Sequence, residues 1–480
     1  MEKEMKICKL SKKGCGGCPF LSIPYEEQLR KKRKEVKKLI GNFGKVRPVL
    51  GMEEPWYYRN KAISTFAVGP GRQLISGIYA AGSHYVIPVD TCLLHHPMLD
   101  DAVRAVRKAA RFCKYQPYNE DRKTGLIRHV LVRHSLLTDE LLVVLVTAQP
   151  VLLGAKAFVK RVREICPKIS TIVQNINPRS TSAVLGYTEK VLYGKGYITD
   201  ELCGVRFRIS ASSFYQVNPT QTEVLYRTAI EAAGLDGNQT VLDAYCGVGT
   251  IGLAAASHAK SVLGVEKNAS AVKCAIQNAK DNGIKNARFV NADATAAIQK
   301  MASKGEKVDV IFMDPPRAGS TVEFLDAVDS MNPEKLVYVS CNPETQQRDL
   351  KHLAKKGWQV KMIQPVDMFP HTEHVETVAL LSRKTASKSF IPVSISPKDM
   401  GLSEEKDQPT YANIRDYVQK TYGMKVSSLY VAQMKVECGL ETQADRSGDK
   451  KQPKCPPEKR EAILDAFRHF GLIGEDETEK

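Results

Sequence analysis

The period of the hydrophobic positions changes several times along the chain. Before residue 48 apolar residues are sparse. The stretch "EEQLRKKRKEVKKLIGNFG" spaces them as on a basic helix that ends at glycine. Between 48 and 205, short runs such as "HVLVRHSLL" and "ELLVVLVTAQP" predict the strands of an antiparallel sheet. Between 206 and 384 the pattern alternates. Strand-like "TVLDAYCGVGT", "SVLGVEKN", "ARFVNAD", "VDVIFMDPP", "KLVYVSCNP", "WQVKMIQPVDMF" and "VETVALLSRK" are separated by helical stretches such as "ASAVKCAIQNAKDNG". That alternation predicts a doubly wound α/β sheet. Beyond 384, "PKDMGLSEEKDQPT" reads as a linker and "ETQADRSGDKKQPK" as a segment without fixed structure. "YANIRDYVQKTYG" and "PPEKREAILDAFRHFGLI" read as short helices. Four regions follow: residues 1–47, 48–205, 206–384 and 385–480, with no internal repeat.

Composition narrows the partner. No apolar run is long enough to span a membrane, and "MEKEMKICKL" lacks the apolar core of a secretory signal, so a cytoplasmic protein without a membrane partner is expected. Seventy basic against 53 acidic residues leave a net charge of +17, a surplus that favours a polyanion such as nucleic acid. Twelve cysteines in such a chain point to metal ligands, catalysis or burial rather than disulfides.

Candidate chemistry gathers at the strand ends of 206–384. In "VLDAYCGVGTIGL" a strand closes on Asp243, and Gly247 and Gly249 let the backbone approach a ligand. The next strand ends in Glu266, placed to accept from both hydroxyls of a ribose. "FVNAD" then offers Asp293 on the adenine side. The long dinucleotide glycine fingerprint is absent, and the shorter loop resembles that of class I methyltransferases, which bind S-adenosylmethionine.

Further along, "VDVIFMDPPRAG" ends a strand with Asp314, two prolines and Arg317. "KLVYVSCNPET" puts Cys341 at the end of the following strand, where a thiolate can act as a nucleophile. "DMFPHTEHVET" brings Glu373 and Glu376 to the same edge. A thiol with a carboxylate suits methylation at uracil C5: addition of the thiolate to C6 makes C5 nucleophilic, and a base later removes the C5 proton. A metal site from His371, His374 and a glutamate is a rival for this segment, but no matching fourth ligand lies nearby.

At the other end, "CKLSKKGCGGCPF" supplies Cys8, Cys15 and Cys18 with metal-ligand spacing, for zinc or an iron–sulfur cluster. Cys92 is the best candidate for a fourth ligand, and Cys113 the next. In the tail, "IRDYVQKTYGMKVSSLYVAQMKVECGL" suggests a small helix–turn–helix-like module, and Cys438 and Cys455 are too few to define a metal site.

Taken together, "SSFYQVNP", "LDAYCGVGT", "FMDPPRAG", "VYVSCNPET" and "FPHTEHVET", in this order, resemble the RNA uracil-5-methyltransferase family over about residues 1–384. The resemblance implies a class I (Rossmann-like) S-adenosylmethionine-dependent methyltransferase sheet of α/β class. It also implies an N-terminal iron–sulfur segment and an α+β central RNA-binding domain, and the small helical C-terminal extension expected from the tail's own pattern lies outside the family core. It implies Cys341 as nucleophile and Glu376 as base. Gln216, Tyr245, Glu266 and Asp293 become cofactor contacts, and Asp314 a residue of the cofactor and uracil pocket. Phe214 would stack near the target base, with Arg317 on the substrate side. The ribosomal-RNA branch carries a [4Fe–4S] cluster on a C-G-G-C pair and a distant cysteine, which implies Cys8, Cys15, Cys18 and Cys92 as its ligands. The expected substrate is therefore 23S ribosomal RNA, with transfer RNA as the alternative, and the target uridine must leave its stack. RNA selection is expected to fall on the central domain, the basic helix and the tail. A monomer is expected. The competing reading of another class is a catalytically silent RNA-binding iron–sulfur protein.

Overall fold

A computed structural model describes residues 6–80, 82–181, 183–383, 410–438, 440 and 454–473. Apart from Thr410 and Lys454, the linker and the structureless segment expected in the tail lie outside them. The chain forms two compact units, Met1–Ile395 and Ser396–Lys480.

The first unit begins with the cysteine segment and α1 (Tyr25–Ile40). Val36 and Ile40 on this helix are buried, and so is Lys32. Lys32 is thus withdrawn from the basic face expected to meet RNA phosphates. A seven-stranded sheet follows, built from β1 (Lys61–Val68), β2 (Leu74–Tyr79), β3 (Val86–Pro88), β4 (Ile127–His134), β5 (Leu141–Thr147), β6 (Ile169–Ile176) and β7 (Thr188–Tyr193). Its order is β3-β2-β1-β4-β5-β6-β7. The expected antiparallel pairing holds except between β5 and β6, which run parallel. The connection between them contains α3 (Ala155–Ile165), the crossover that a parallel pair requires. Together with α2 (Pro97–Phe112), α3 covers one face of the sheet, around Phe66, Leu99, Val106 and Phe158.

A hairpin of β8 (Tyr197–Leu202) and β9 (Val205–Ser210) turns on Cys203 and Gly204, both at positive φ. Its Ile198, Leu202 and Phe207 share one core with Leu142 and Val144 of the central sheet and with Val241, Phe312 and Val337 of the second large sheet. That sheet comprises β10 (Thr240–Ala244), β11 (Ser261–Glu266), β12 (Ala287–Asn291), β13 (Val310–Met313), β14 (Lys335–Ser340), β15 (Trp358–Val366) and β16 (Glu376–Arg383). Its order is β12-β11-β10-β13-β14-β16-β15. It is the doubly wound sheet expected from the alternating pattern, and only β16 runs antiparallel to its neighbours. The helices are α4 (Pro219–Ala233), α5 (Thr250–Ala255), α6 (Ala269–Asp281), α7 (Ala294–Ser303), α8 (Val322–Met331) and α9 (Pro343–Lys355).

The second unit contains α10 (Tyr411–Tyr422), α11 (Ser428–Glu437) and α12 (Pro457–His469). Ile414, Val418, Val431, Met434, Ile463 and Phe467 form its core, with Cys438 and Cys455 packed beside it. A reciprocal capping box of Thr410 and Asn413 starts α10.

Candidate active site

The order of the second sheet reverses beside β10, which pairs with β11 on one side and β13 on the other. A crevice forms there, at the carboxyl ends of the strands. It is a cavity of about 720 Å³.

The loop after β10 is shaped by backbone that few residues adopt. Tyr245 sits at φ +65° and Gly247 and Gly249 at +57° and +84°. No atom lies within 4 Å of where a Cβ on Gly247 would stand, so its backbone faces open space in the cavity. Gly249 instead packs tightly: a Cβ there would meet the Phe289 ring at 2.9 Å. Asp243 is fully buried and accepts from the Gly252 N–H at 2.8 Å, so it braces the loop against α5. Glu266, at the end of β11, accepts from the Gly247 N–H at 3.1 Å and from the Asn268 N–H at 2.7 Å. The rest of its carboxylate lines the cavity. Asp293 also lines it while capping α7 through the Thr295 N–H at 3.1 Å.

The other wall comes from β13, β14 and β16. Asp314 follows β13 directly. Cys341 follows β14, and Asn342 and Pro343 then start α9, with Asn342 accepting from the Glu344 N–H at 3.1 Å. The strand therefore ends on a thiol held between a ladder and a helix cap. In the antiparallel ladder of β14 and β16, Ser340 pairs with Thr377. Cys341 and Glu376 each adjoin this terminal pair, Glu376 at the start of β16, and the Glu376 charge acts on the Cys341 thiol. Arg317, Phe214, Gln216 and Tyr245 complete the set, so every predicted catalytic, cofactor and substrate residue except Gly249 lines this one cavity. Phe214 is 68% exposed, so it is not a core aromatic.

Burial sets the charges here. It pushes the Glu376 carboxyl up to about 8, with the Asp314 charge adding to the effect. Asp314 itself rises to about 7, also through burial. The Cys341 thiol is pushed up to about 11 by burial and then by Glu376 and Asp314, with Arg317 opposing. Cys341 and Glu376 favour their neutral forms in the free protein near pH 7, and Asp314 is about evenly divided between its two forms.

Among the other lining residues, Lys61, Phe369 and His374 were given no part in the reaction by the sequence reading. Lys61 begins β1 of the central sheet. Burial lowers its amine to about 8, and the charges of Arg133 and Arg59 act in the same sense. No local motif marks it. His374 opens the "HVET" stretch and was considered only as a metal ligand. Its companion His371 stacks on Trp56 at 3.9 Å, and its Nδ1 lies 3.1 Å from Gln28 Nε2.

The predicted cluster ligands lie in another place. Cys18 and Cys92 flank a small core of Tyr25, Met52, Tyr58 and Leu94. The Cys18 thiol is pushed up to about 12, by burial first and then by Cys92, Cys15 and Cys8 around it. Among the described residues no three ligating side chains stand close enough to hold a single metal ion.

A family model for tRNA (uracil-5-)-methyltransferases matches residues 183–384. An uncharacterized RNA methyltransferase of Halalkalibacterium halodurans is 44% identical over 375 residues, 77% of this chain and 82% of that protein. One of Caldanaerobacter subterraneus is 41% identical over 374 residues, with 77% and 82% covered. Among solved structures, the Pyrococcus abyssi tRNA (uracil-54, C5)-methyltransferase in complex with S-adenosyl-L-homocysteine superposes with a TM-score of 0.65. It is 28% identical, covering 76% of this chain and 86% of that one.

Proposed function

The chain belongs to the RNA uracil-5-methyltransferase family, and we propose that it methylates C5 of a uridine in 23S ribosomal RNA, with Cys341 as nucleophile and Glu376 as base. It is an S-adenosylmethionine-dependent enzyme on a Rossmann-like methyltransferase sheet. One observation supports the mechanism: Cys341 and Glu376, each next to the terminal Ser340–Thr377 pair of the β14–β16 ladder, line the same cavity as Gly247 and Glu266.

The cavity suits the cofactor. The space beside Gly247 is a cradle that a Cβ would fill, and Glu266 offers free lone pairs to the ribose hydroxyls. Asp293 would stand by the adenine, and Gln216, Tyr245 and Asp314 toward the methionine end. When bound, S-adenosylmethionine supplies an electrophilic methyl group. Cys341 gives its proton to water, and its thiolate bonds to C6 of the uracil while the C5–C6 π electrons move toward C5 and O4. C5 would then take the methyl group, with S-adenosylhomocysteine as the leaving group. Glu376, having first given its own proton to water, removes the C5 proton as carboxylate, the double bond re-forms, and Cys341 leaves as thiolate. Phe214 at the mouth would stack on the extruded base.

The cysteine segment supports the ribosomal substrate and a [4Fe–4S] cluster on Cys8, Cys15, Cys18 and Cys92. Cys92, Cys15 and Cys8 add to the rise of the Cys18 thiol that burial causes, and a cationic centre among them would reverse their effect. A tetranuclear cluster spreads its thiolates over four irons, so it needs them further apart than a single ion does.

Similarity to the archaeal tRNA (uracil-54, C5) enzyme favours a second substrate, transfer RNA. The deciding experiment offers labelled S-adenosylmethionine with unmodified 23S RNA and, separately, unmodified transfer RNA, and resolves the nucleosides by mass. Label as 5-methyluridine in 23S RNA alone is the expected result. Label in transfer RNA alone would keep the chemistry and overturn the substrate.

A further inference from the structure

Strand β1 joins the catalytic cavity to a second cleft. Its alternate residues Ala62 and Phe66 point into the core under α2 and α3. The other face carries Lys61, Ile63 and Thr65, since side chains alternate across a strand. Lys61 lines the catalytic cavity, whereas Ile63 and Thr65 line a neighbouring cleft of about 670 Å³ with Gly77, Tyr79, His84 and His129. One strand face therefore runs from the reacting groups out along the central sheet.

The chemistry of this face is unusual for a sheet surface. Ile63 and Tyr79 are 36% and 39% exposed. The ladder of β1 and β2 ends at Thr65 and Gly77, and Ile63 and Tyr79 line the cleft just beyond that end. The Tyr79 and His84 rings lie 6.0 Å apart. Thr65 bonds His129 at 3.0 Å and also the Tyr79 hydroxyl, which fixes that ring over the cleft. Of the two acids in the cleft, Glu120 is tied to Arg128 at 2.7 Å, and Asp121 stands at the exposed rim. A phosphate backbone is repelled by such a rim, whereas the face of a base is not.

We propose that this face of β1 and β2 holds the unpaired nucleotides next to the target uridine, bases stacked on Tyr79 and Ile63 and phosphates turned outward. The inference rests on RNA as the substrate. A uridine drawn into the cavity brings its chain neighbours past Lys61, and single-stranded RNA is read by stacking on aromatic side chains.

The test uses the full chain, labelled S-adenosylmethionine and two RNAs that carry the target uridine: one with its native flanks, one trimmed close to the uridine. Tyr79→Ala should raise KM for the flanked RNA about tenfold, the loss expected for one stacked base. Its kcat and its affinity for S-adenosylhomocysteine should stay unchanged, and Tyr79→Phe should restore KM. On the trimmed RNA, wild type and Tyr79→Ala should be alike. Unchanged KM on the flanked RNA would overturn the proposal, and so would an equal loss on both RNAs. If wild type methylates neither RNA, the RNA reading itself fails and takes this one with it.

Discussion

Lys32 and Asp367 form an ion pair of 2.6 Å between side chains wholly withdrawn from solvent. The other Asp367 oxygen accepts from the Tyr25 hydroxyl at 2.9 Å. Gln28 accepts from the His371 N–H at 2.9 Å, and the Phe20 N–H donates to the His371 carbonyl at 3.1 Å. Helix α1 and the residues before it thus clamp residues 367–371, the start of the loop that runs into Glu376. The cysteine segment and the proposed base are mechanically joined.

Breaking that pair from one side should be costly. Lys32→Met leaves the Asp367 carboxylate buried without its cation and should cost about 3–5 kcal/mol in urea unfolding. Adding Asp367→Asn should recover much of the loss, because the stranded charge is gone. A single variant with unchanged stability would show that the pair is not closed to water.

A second consequence concerns the nucleophile. With its thiol near 11, Cys341 is almost entirely protonated in the free protein at pH 7. Attack requires the thiolate, so something must bring positive charge into the cavity. S-adenosylmethionine carries a sulfonium, and S-adenosylhomocysteine a neutral thioether. Alkylation of the Cys341 peptide by iodoacetamide, followed by mass spectrometry across pH without RNA, should have a midpoint near 11. S-adenosylmethionine should lower it by about one unit or more, as an opposite charge nearby does. S-adenosylhomocysteine should not. Equal effects of the two would assign the shift to structure rather than charge.

Much of this site was legible because chemistry and strand ends coincide. Parallel strands covered on both faces read as apolar runs, and "VYVS" before Cys341 or "VIFM" before Asp314 mark both the strand and its terminus. The direction of β16 was not legible, since its apolar pattern is the same whichever way it pairs. Yet that reversal brings Glu376 to Cys341. Lys61 was hidden for another reason: its place in the cavity depends on how the two large sheets pack, which no local pattern encodes. Lys32 looked like one more lysine on a basic helix, and only its partner in a remote loop explains its burial.

The two glycines of the cofactor loop should fail in different ways. Both sit at positive φ, so alanine at either costs about 1–2 kcal/mol of backbone strain. At Gly247 the added methyl enters the open cavity, so Gly247→Ala should raise KM for S-adenosylmethionine with only that loss of stability. At Gly249 the methyl meets the Phe289 ring at 2.9 Å. Gly249→Ala should therefore lower the melting temperature further, and affect KM less. The reverse ranking would mean that Gly249, not Gly247, faces the cofactor.

Glu376→Gln separates the acid's role in the fold from its role in the reaction. Burial raises the carboxyl from 4.5 to about 8 in the folded protein. Between those values the folded state keeps a proton that the unfolded chain has lost. Stability therefore falls as pH rises through this window, and the full penalty stands above pH 8. Glutamine does not titrate, so the variant should be more stable than wild type at pH 8.5 by roughly 1–3 kcal/mol. Near pH 4.5 the two should be nearly equal. Its turnover should nevertheless drop by about 10²–10⁴-fold, the range for a lost general base. Methylated RNA should accumulate on Cys341 as an adduct visible in denaturing gels, and Cys341→Ser in the same background should abolish it. Normal turnover in a stabilised Glu376→Gln protein would show that the burial is real and the base is another group.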